Sequence, residues 1–390
     1  MDIAYRIGGI MPAVRLSDVA KDAGVSLATA SRVLNGSART PGRAVAEKVR
    51  ASAAKLGYVT NAQAQALARS RSGLIGLVVH DIADPYFAVL ARAVQQRIFA
   101  SDSQVLLTQT DRDPETEIRA IRSLIAQRVD ALVLFGSHRY GADTDSSILQ
   151  LLQGFEAHGG LVVCVGQAPG VGRTIVTEDA ATAHELATSL VVEGHRRFAV
   201  PQGISGIPTA AHRTGGFLAG LAEAGIEVEL YGTAGLNRSG GHAFAAQVAE
   251  HLASPEGVAA TEASGGLPLC VFAPADVMAL GVLGELRRHG LRIPEQVAVA
   301  GFGGVPGAHD SSPVLTTVAL PLEEMAEQVS AWILSEQTGA AEDSSDRTGR
   351  DQTGSDQTGP DPDGRDQEGR DQVRDRRMHG EILLRESTAL

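Results

Sequence analysis

Residues 14–35 read VRLSDVAKDAGVSLATASRVLN, and their spacing decides the fold of the first segment. Leu16, Val19, Ala20 and Ala23 recur at helical intervals, Gly24 and Val25 make a turn, and Ser26 opens a second periodic stretch through Val33 and Leu34. This is a helix-turn-helix. A small Ala20 lets the second helix cross close to the first, and Gly24 suits a turn residue with left-handed backbone. Val19, Val25, Ala30 and Val33 then close a miniature core, with Ser26 as N-cap of the second helix. Leu27, Ala28, Thr29, Ser31 and Arg32 remain on the outer face of that helix, which suits entry into a major groove.

Charge distribution agrees. The chain carries a net charge of −12, at first sight a poor partner for a polyanion. Residues 11–71, however, hold ten Lys and Arg against three Asp and Glu, a surplus of seven positive charges, while residues 72–390 carry nineteen net negative charges. A basic arm on an acidic body is the asymmetry expected of a nucleic-acid-binding segment joined to a regulatory one.

The 390-residue chain is 43% hydrophobic and only 4% aromatic, which fits an α/β protein with ample core. Apolar runs of roughly 18 residues are absent, so no membrane partner is expected. MDIAYRIGGIMPAVRL has no sustained apolar stretch, which argues against secretion and for a cytoplasmic, nucleoid-associated protein. Cys164 and Cys270 each lie within an apolar strand-like run and read as buried free thiols.

After a turn-rich loop, residues 43–56 have helical periodicity and end at Gly57, giving a third helix for the small core. The segment from Asn61, NAQAQALAR, is a helix too short to stand alone, with Leu67 its one large apolar residue. From Leu74 onward, apolar runs such as LIGLVVHDI, ALVLFGS, LVVCVGQ and VAVAGFGG alternate with helical stretches near 85–100, 114–128, 179–193, 213–224, 240–253, 276–289 and 322–337. This alternation implies parallel sheets covered on both faces, as one barrel or as two doubly wound lobes.

Several stretches identify the family. The helix-turn-helix, NAQAQALAR, IGLVVHDIADPYFAVLARAV, EGHRRFAV, HRTGGFLAGL, DVMALGVLGELRRHGLRIPEQVAVAGF, LTTVALPLEEMAEQVSAWIL and GEILLREST occur in an order and spacing that resemble the lactose-repressor (LacI/GalR) family of bacterial transcription regulators. The resemblance implies an all-α headpiece over 14–59, a hinge helix and linker over 60–72, and a core over 73–390. That core would be two doubly wound parallel-sheet lobes of the periplasmic-binding-protein type, the first over about 73–172 and 320–337, the second over about 173–319 and 378–390. MPAVRLSDVA from Met11 begins as family members do, so residues 1–13 are expected to be disordered or to precede the true start. Residues 338–377, with repeated DQ-x-G units and almost no apolar side chain, read as a disordered insert.

The same resemblance assigns roles. It implies a homodimer that binds double-stranded operator DNA and a small-molecule effector in an interlobe cleft, as a repressor and not an enzyme, with no cofactor or metal. Leu27 and Ala28 take the positions that set operator choice, and Arg32 the base-reading position, where its fork matches guanine N7 and O6. Ser26, Thr29, Ser31 and Asn35 take phosphate-contacting positions, and Tyr58, Asn61, Ala64 and Gln65 complete the DNA-binding set. Leu67 takes the place of a leucine that wedges between base steps from the minor groove. In the cleft the resemblance places Asp84, Tyr86, Phe87, Arg213 and Asp276. Ala275, Gly303 and Gly304 stand where relatives commonly carry polar side chains, so an anionic effector paired with Arg213 is expected over a neutral monosaccharide.

Other signals point elsewhere only weakly. GFGGVPG at 301–307 has Pro306 in place of the third glycine of a dinucleotide loop, and a turn without a following helix is expected. His80, His184 and His195 lack ligand spacing. The core alone would also suit a solute-binding protein, or a barrel enzyme; the basic headpiece argues against both.

Overall fold

The computed structural model describes residues 14–35, 41–59, 71–101, 103–136, 142–166, 170–202, 207–346 and 375–390. The chain forms two compact units that divide after Gly73.

In the first unit, α1 (Leu16–Ala23), α2 (Leu27–Asn35) and α3 (Arg43–Leu56) follow the periodicity of the sequence. Gly24 ends α1 at φ 64°, and the Val25 N–H returns to the Ala20 carbonyl at 3.0 Å. Ser26 Oγ accepts the Thr29 N–H at 3.1 Å, which makes it the N-cap of α2. Val19, Ala23, Ala30 and Val49 are fully buried, and Ala20, Val33, Ala46 and Ala53 surround them. Val25 packs on this cluster from its edge. Lys55 Nζ meets Asp22 Oδ1 at 2.7 Å, tying α3 to α1. That hydrogen bond holds the Asp22 carboxyl below its ordinary range.

The second unit contains two six-stranded sheets. The first holds β1 (Leu74–Val79), β2 (Gln104–Gln109), β3 (Ala131–Gly136), β4 (Leu161–Gly166), β5 (Arg173–Thr177) and β11 (Asp375–Met378), in the order β11-β5-β4-β3-β1-β2. The second holds β6 (Arg197–Gln202), β7 (Leu230–Thr233), β8 (Leu269–Phe272), β9 (Val297–Gly303), β10 (Thr316–Ala319) and β12 (Glu381–Leu383), in the order β12-β10-β9-β8-β6-β7. Among the described residues every pairing is parallel except that of β10 with β12. Parallel strands need helical crossovers. They are α4 (Pro85–Phe99), α5 (Pro114–Ala126), α6 (Ala142–Ala157), α7 (Asp179–Val192), α8 (Pro208–Glu223), α9 (Arg238–Ala253), α10 (Pro255–Ala263), α11 (Asp276–Arg288), α12 (Pro306–His309) and α13 (Leu322–Asp346). The two-lobed alternative is therefore the observed one.

Apolar burial explains why the central strands are continuously hydrophobic: β3 and β4 are buried over their first five residues, with helices on both faces. In the second lobe Phe217 stacks flat on Phe272, ring centres 4.1 Å apart, and both are fully buried. Each such side chain contributes roughly 1.5–3 kcal/mol. Cys164 and Cys270 are free and buried, as expected. Among the described residues no helix is long and apolar enough to cross a membrane.

The structure departs from the sequence reading in several places. β5 and β11 belong to the first sheet, so the first lobe extends through Thr177 and takes back Asp375–Met378, residues assigned above to the second lobe and the insert. The helix expected to stop at 337 runs to Asp346, because Ala340, Ala341 and Glu342 are good helix formers. α6 and α10 had no counterpart in the reading, and a four-residue helix, α12, opens at Pro306 within GFGGVPG. Residues 1–13 and 347–374 lie outside the described residues.

Candidate functional site

The first unit presents the candidate DNA-reading face. Ser26, Leu27, Ala28 and Arg32 are exposed on and beside α2, while Thr29, Ser31 and Asn35 are half-buried. Leu27 is 54% exposed. Ser26 Oγ and Thr29 Oγ1 lie 2.8 Å apart, and Asn35 Nδ2 donates to Ser31 Oγ at 3.0 Å, so each of these short polar groups is held by a partner one turn away. Tyr58 is half-buried and packs against the headpiece core. Asn61, Ala64, Gln65 and Leu67 lie outside the described residues.

The second unit holds a cleft at the C-terminal ends of the strands of both lobes. All five residues singled out for the effector line it. The first lobe contributes Asp84, Tyr86, Phe87, Arg112, Gly136, Gly166 and Thr177; the second contributes Thr209, Arg213, Leu236, Ala275, Asp276, Val277, Phe302, Gly303 and Val305. This is where open α/β sheets receive ligands.

Asp84 caps α4 by accepting the Tyr86 N–H at 3.0 Å, and Pro85 follows at a position where no donor is needed. Burial raises the Asp84 carboxyl above its ordinary value, with the Tyr86 hydrogen bond opposing it. Tyr86 meets Phe87 edge to face, centres 5.1 Å apart, and burial pushes the Tyr86 phenol upward.

Arg213 stands on α8, which lies close against α7 because Gly216 has no side chain. A Cβ there would sit 2.0 Å from the Ala180 carbonyl oxygen. That approach brings Arg213 Nε to 3.1 Å from Asp179 Oδ1, and a second nitrogen donates to the Pro274 carbonyl at 3.0 Å. Both side chains of the pair are buried. The guanidinium also lies over the Phe302 ring, 4.1 Å from its centre. Arg213 is thus already charge-paired by Asp179.

Asp276, at the start of α11, accepts from Val305 N–H at 2.9 Å and from Thr317 Oγ1 at 2.5 Å. Burial lifts its carboxyl to about 6 against these hydrogen bonds. Ala275, just before it, offers no cap.

Sequence reasoning missed Arg112, Thr177, Thr209 and Phe302. Arg112 follows β2 in a loop where Asp111 and Arg112 both have positive φ, 54° and 56°. Consecutive left-handed non-glycine residues mark an over-determined turn. The guanidinium of Arg112 lies 5.9 Å from the Phe87 ring centre. Among the described residues no cluster of His, Cys, Asp and Glu is arranged to hold a metal ion.

Comparison with known proteins agrees with this geometry. Residues 15–61 match the model for bacterial regulatory proteins of the lacI family, and residues 187–350 match a periplasmic binding protein-like domain. The transcriptional regulator GalS of Salmonella typhimurium is 33% identical over 80% of this chain and 87% of its own length. The regulator GalR of Escherichia coli is 30% identical over 82% and 88%. A Lac repressor dimer solved with operator and the anti-inducer ONPF superposes with a TM-score of 0.71 at 21% identity, covering 97% of this chain and all of that one. The regulator CelR in complex with cellobiose gives 0.59 at 25% identity, covering 96% and 99%. This chain belongs to the lacI family of bacterial regulatory proteins, a family of DNA-binding transcriptional regulators.

Proposed function

We propose that the protein is a homodimeric repressor that reads operator DNA with the exposed face of α2 and releases or grips it according to a neutral small molecule in the interlobe cleft. The observation that carries the DNA reading is the exposure of Leu27, Ala28 and Arg32 on α2, within a segment holding a surplus of seven positive charges. Arg32 reads a base edge, Leu27 and Ala28 set operator choice, and Ser26, Thr29, Ser31, Asn35 and Tyr58 fix register on the phosphates. Asn61, Ala64, Gln65 and Leu67 form the hinge contact, with Leu67 as minor-groove wedge.

The observation that carries the effector reading is the Arg213–Asp179 pair. A buried cation that already has its counterion presents hydrogen-bond donors without demanding an anion. Tyr86, Phe87 and Phe302 offer apolar faces, and cellobiose in the similar regulator CelR is a neutral sugar.

Gel-shift with the chain's own upstream DNA, at several salt concentrations, tests the first half. A specific complex weakened by salt is expected, and equal affinity for unrelated DNA contradicts it. Thermal-shift screening of neutral sugars against sugar phosphates and organic acids tests the second. Stabilisation by a neutral compound, lost in Arg213→Ala, is expected; stabilisation by anions alone overturns it.

A further inference from the structure

Among the described residues three connections join the lobes: Thr177 to Asp179, Ala319 to Leu322, and Met378 to Glu381. Any rotation of one lobe against the other must be absorbed there. The first and third lie side by side, with the Glu178 N–H donating to the Met378 carbonyl at 2.9 Å.

His379 occupies the third connection. Its Nδ1 lies 3.0 Å from Glu178 Oε2, and its Nε2 lies 3.0 Å from Glu185 Oε2. Thr182 Oγ1, which donates to the Glu178 carbonyl, stands 3.5 Å from Nδ1. One ring therefore links two interlobe connections and the α7 helix of the second lobe. A neutral imidazole has one donor and one acceptor, whereas ionised carboxylates only accept. The neutral ring can serve one of these glutamates and turns a lone pair on the other. The imidazolium serves both.

We propose that His379 is a proton-operated latch on the interlobe hinge: the charged ring fastens the third connection to the first and to α7, and the neutral ring releases one carboxylate and frees the lobes to rotate. This device is independent of operator and effector identity. The hydrogen bond that the ring donates to Glu185 is the main reason His379 holds its proton more tightly than an ordinary imidazole. Slight burial opposes it, and Glu178 adds to it. These two carboxylates are the charged groups that set its proton affinity. Because the folded value is raised, the restraint is fully present below about pH 6.5 and is lost as pH rises through the folded value. The side chain is 42% exposed, so the effect is small, about two- to five-fold in hinge opening.

The test uses the full chain and needs no ligand. Hydrogen–deuterium exchange is measured over residues 174–182 and 375–384 at about pH 6 and about pH 8, corrected for intrinsic exchange, in the wild type, His379→Gln and Glu185→Gln. The wild type is expected to be about two- to five-fold better protected at the lower pH. His379→Gln should show the weaker protection at both, and Glu185→Gln should move the transition to lower pH. Ring titration of His379 by NMR, expected above the ordinary imidazole value of about 6.5, is the second readout. A flat pH response in the wild type, the same response in His379→Gln, or titration at or below the ordinary value overturns the proposal.

Discussion

Thr317 Oγ1 donates to Asp276 Oδ1 across 2.5 Å, and this bond reaches from β10 to the first turn of α11 beneath the cleft. The Val305 N–H holds the other carboxylate oxygen at 2.9 Å. The carboxyl is 1% exposed, and burial outweighs both bonds, raising it from 3.8 to about 6. A folded value above the unfolded one contributes stability below about pH 4, and that contribution is lost as pH rises through about 6. Melting of the wild type and Asp276→Asn across this window should show the wild type losing on the order of 1–3 kcal/mol relative to the variant. A difference that stays constant with pH would show that Asp276 titrates normally.

Arg32 is exposed and stands with Leu27 and Ala28 on the free face of α2. Arg32→Ala should cost about 1–3 kcal/mol in discrimination between operator and unrelated DNA. Binding to unrelated DNA should change less, as gel-shift against both would show. Equal losses on the two DNAs would reduce Arg32 to a phosphate contact.

Gly304 has φ 71°, and a Cβ built on it would lie 2.6 Å from the Ala319 Cα. Gly304→Ala combines a left-handed backbone with a clash against main-chain atoms, so a loss of about 1–3 kcal/mol is expected in denaturant melts. An unchanged midpoint would mean that β10 moves aside. The same crowding explains why a polar side chain at this position has no room in this cleft.

Asp179→Asn should leave Arg213 as a buried cation without its counterion. Breaking such a pair typically costs about 3–5 kcal/mol. Small anions in the buffer should then raise the melting temperature of the variant more than that of the wild type. No anion response in the variant would place the compensating charge elsewhere.

The headpiece was legible because its elements are short and its core is local: the helix spacing, Gly24 and Ser26 all lie within 22 residues of one another. The central strands were legible because burial on both faces makes them continuously apolar. β5, β7 and β11 were not. β11 carries Asp375, Arg376 and Arg377, which are exposed at the sheet edge, and β7 has an exposed Tyr231 at the opposite edge of its sheet. An edge strand has one neighbour and a polar side, so β7 and β11 lack a continuous apolar run; β5, interior between β11 and β4, reads RTIVT and lacks one too. Tyr86, Phe87, Arg213 and Asp276 were legible through the segments that resemble the family. Arg112 was not, because loop residues have no period. The pairing of Arg213 with Asp179 spans 34 residues of chain and depends on two helices touching at Gly216, which no spacing rule reveals.

The last strands also bear on how the molecule comes into being. β11 completes the first sheet, β12 extends the second, and Ser387 and Thr388 bond to Val299, Thr316 and His195 inside the second lobe. Neither lobe can finish folding while residues after Asp375 are still within the ribosome. The headpiece, a compact unit of its own closed by Leu56, can fold hundreds of residues earlier. A nascent chain therefore carries a formed DNA-reading surface before it has a sensing body, and premature termination upstream of Asp375 would leave β5 and β10 as uncovered edges of their sheets.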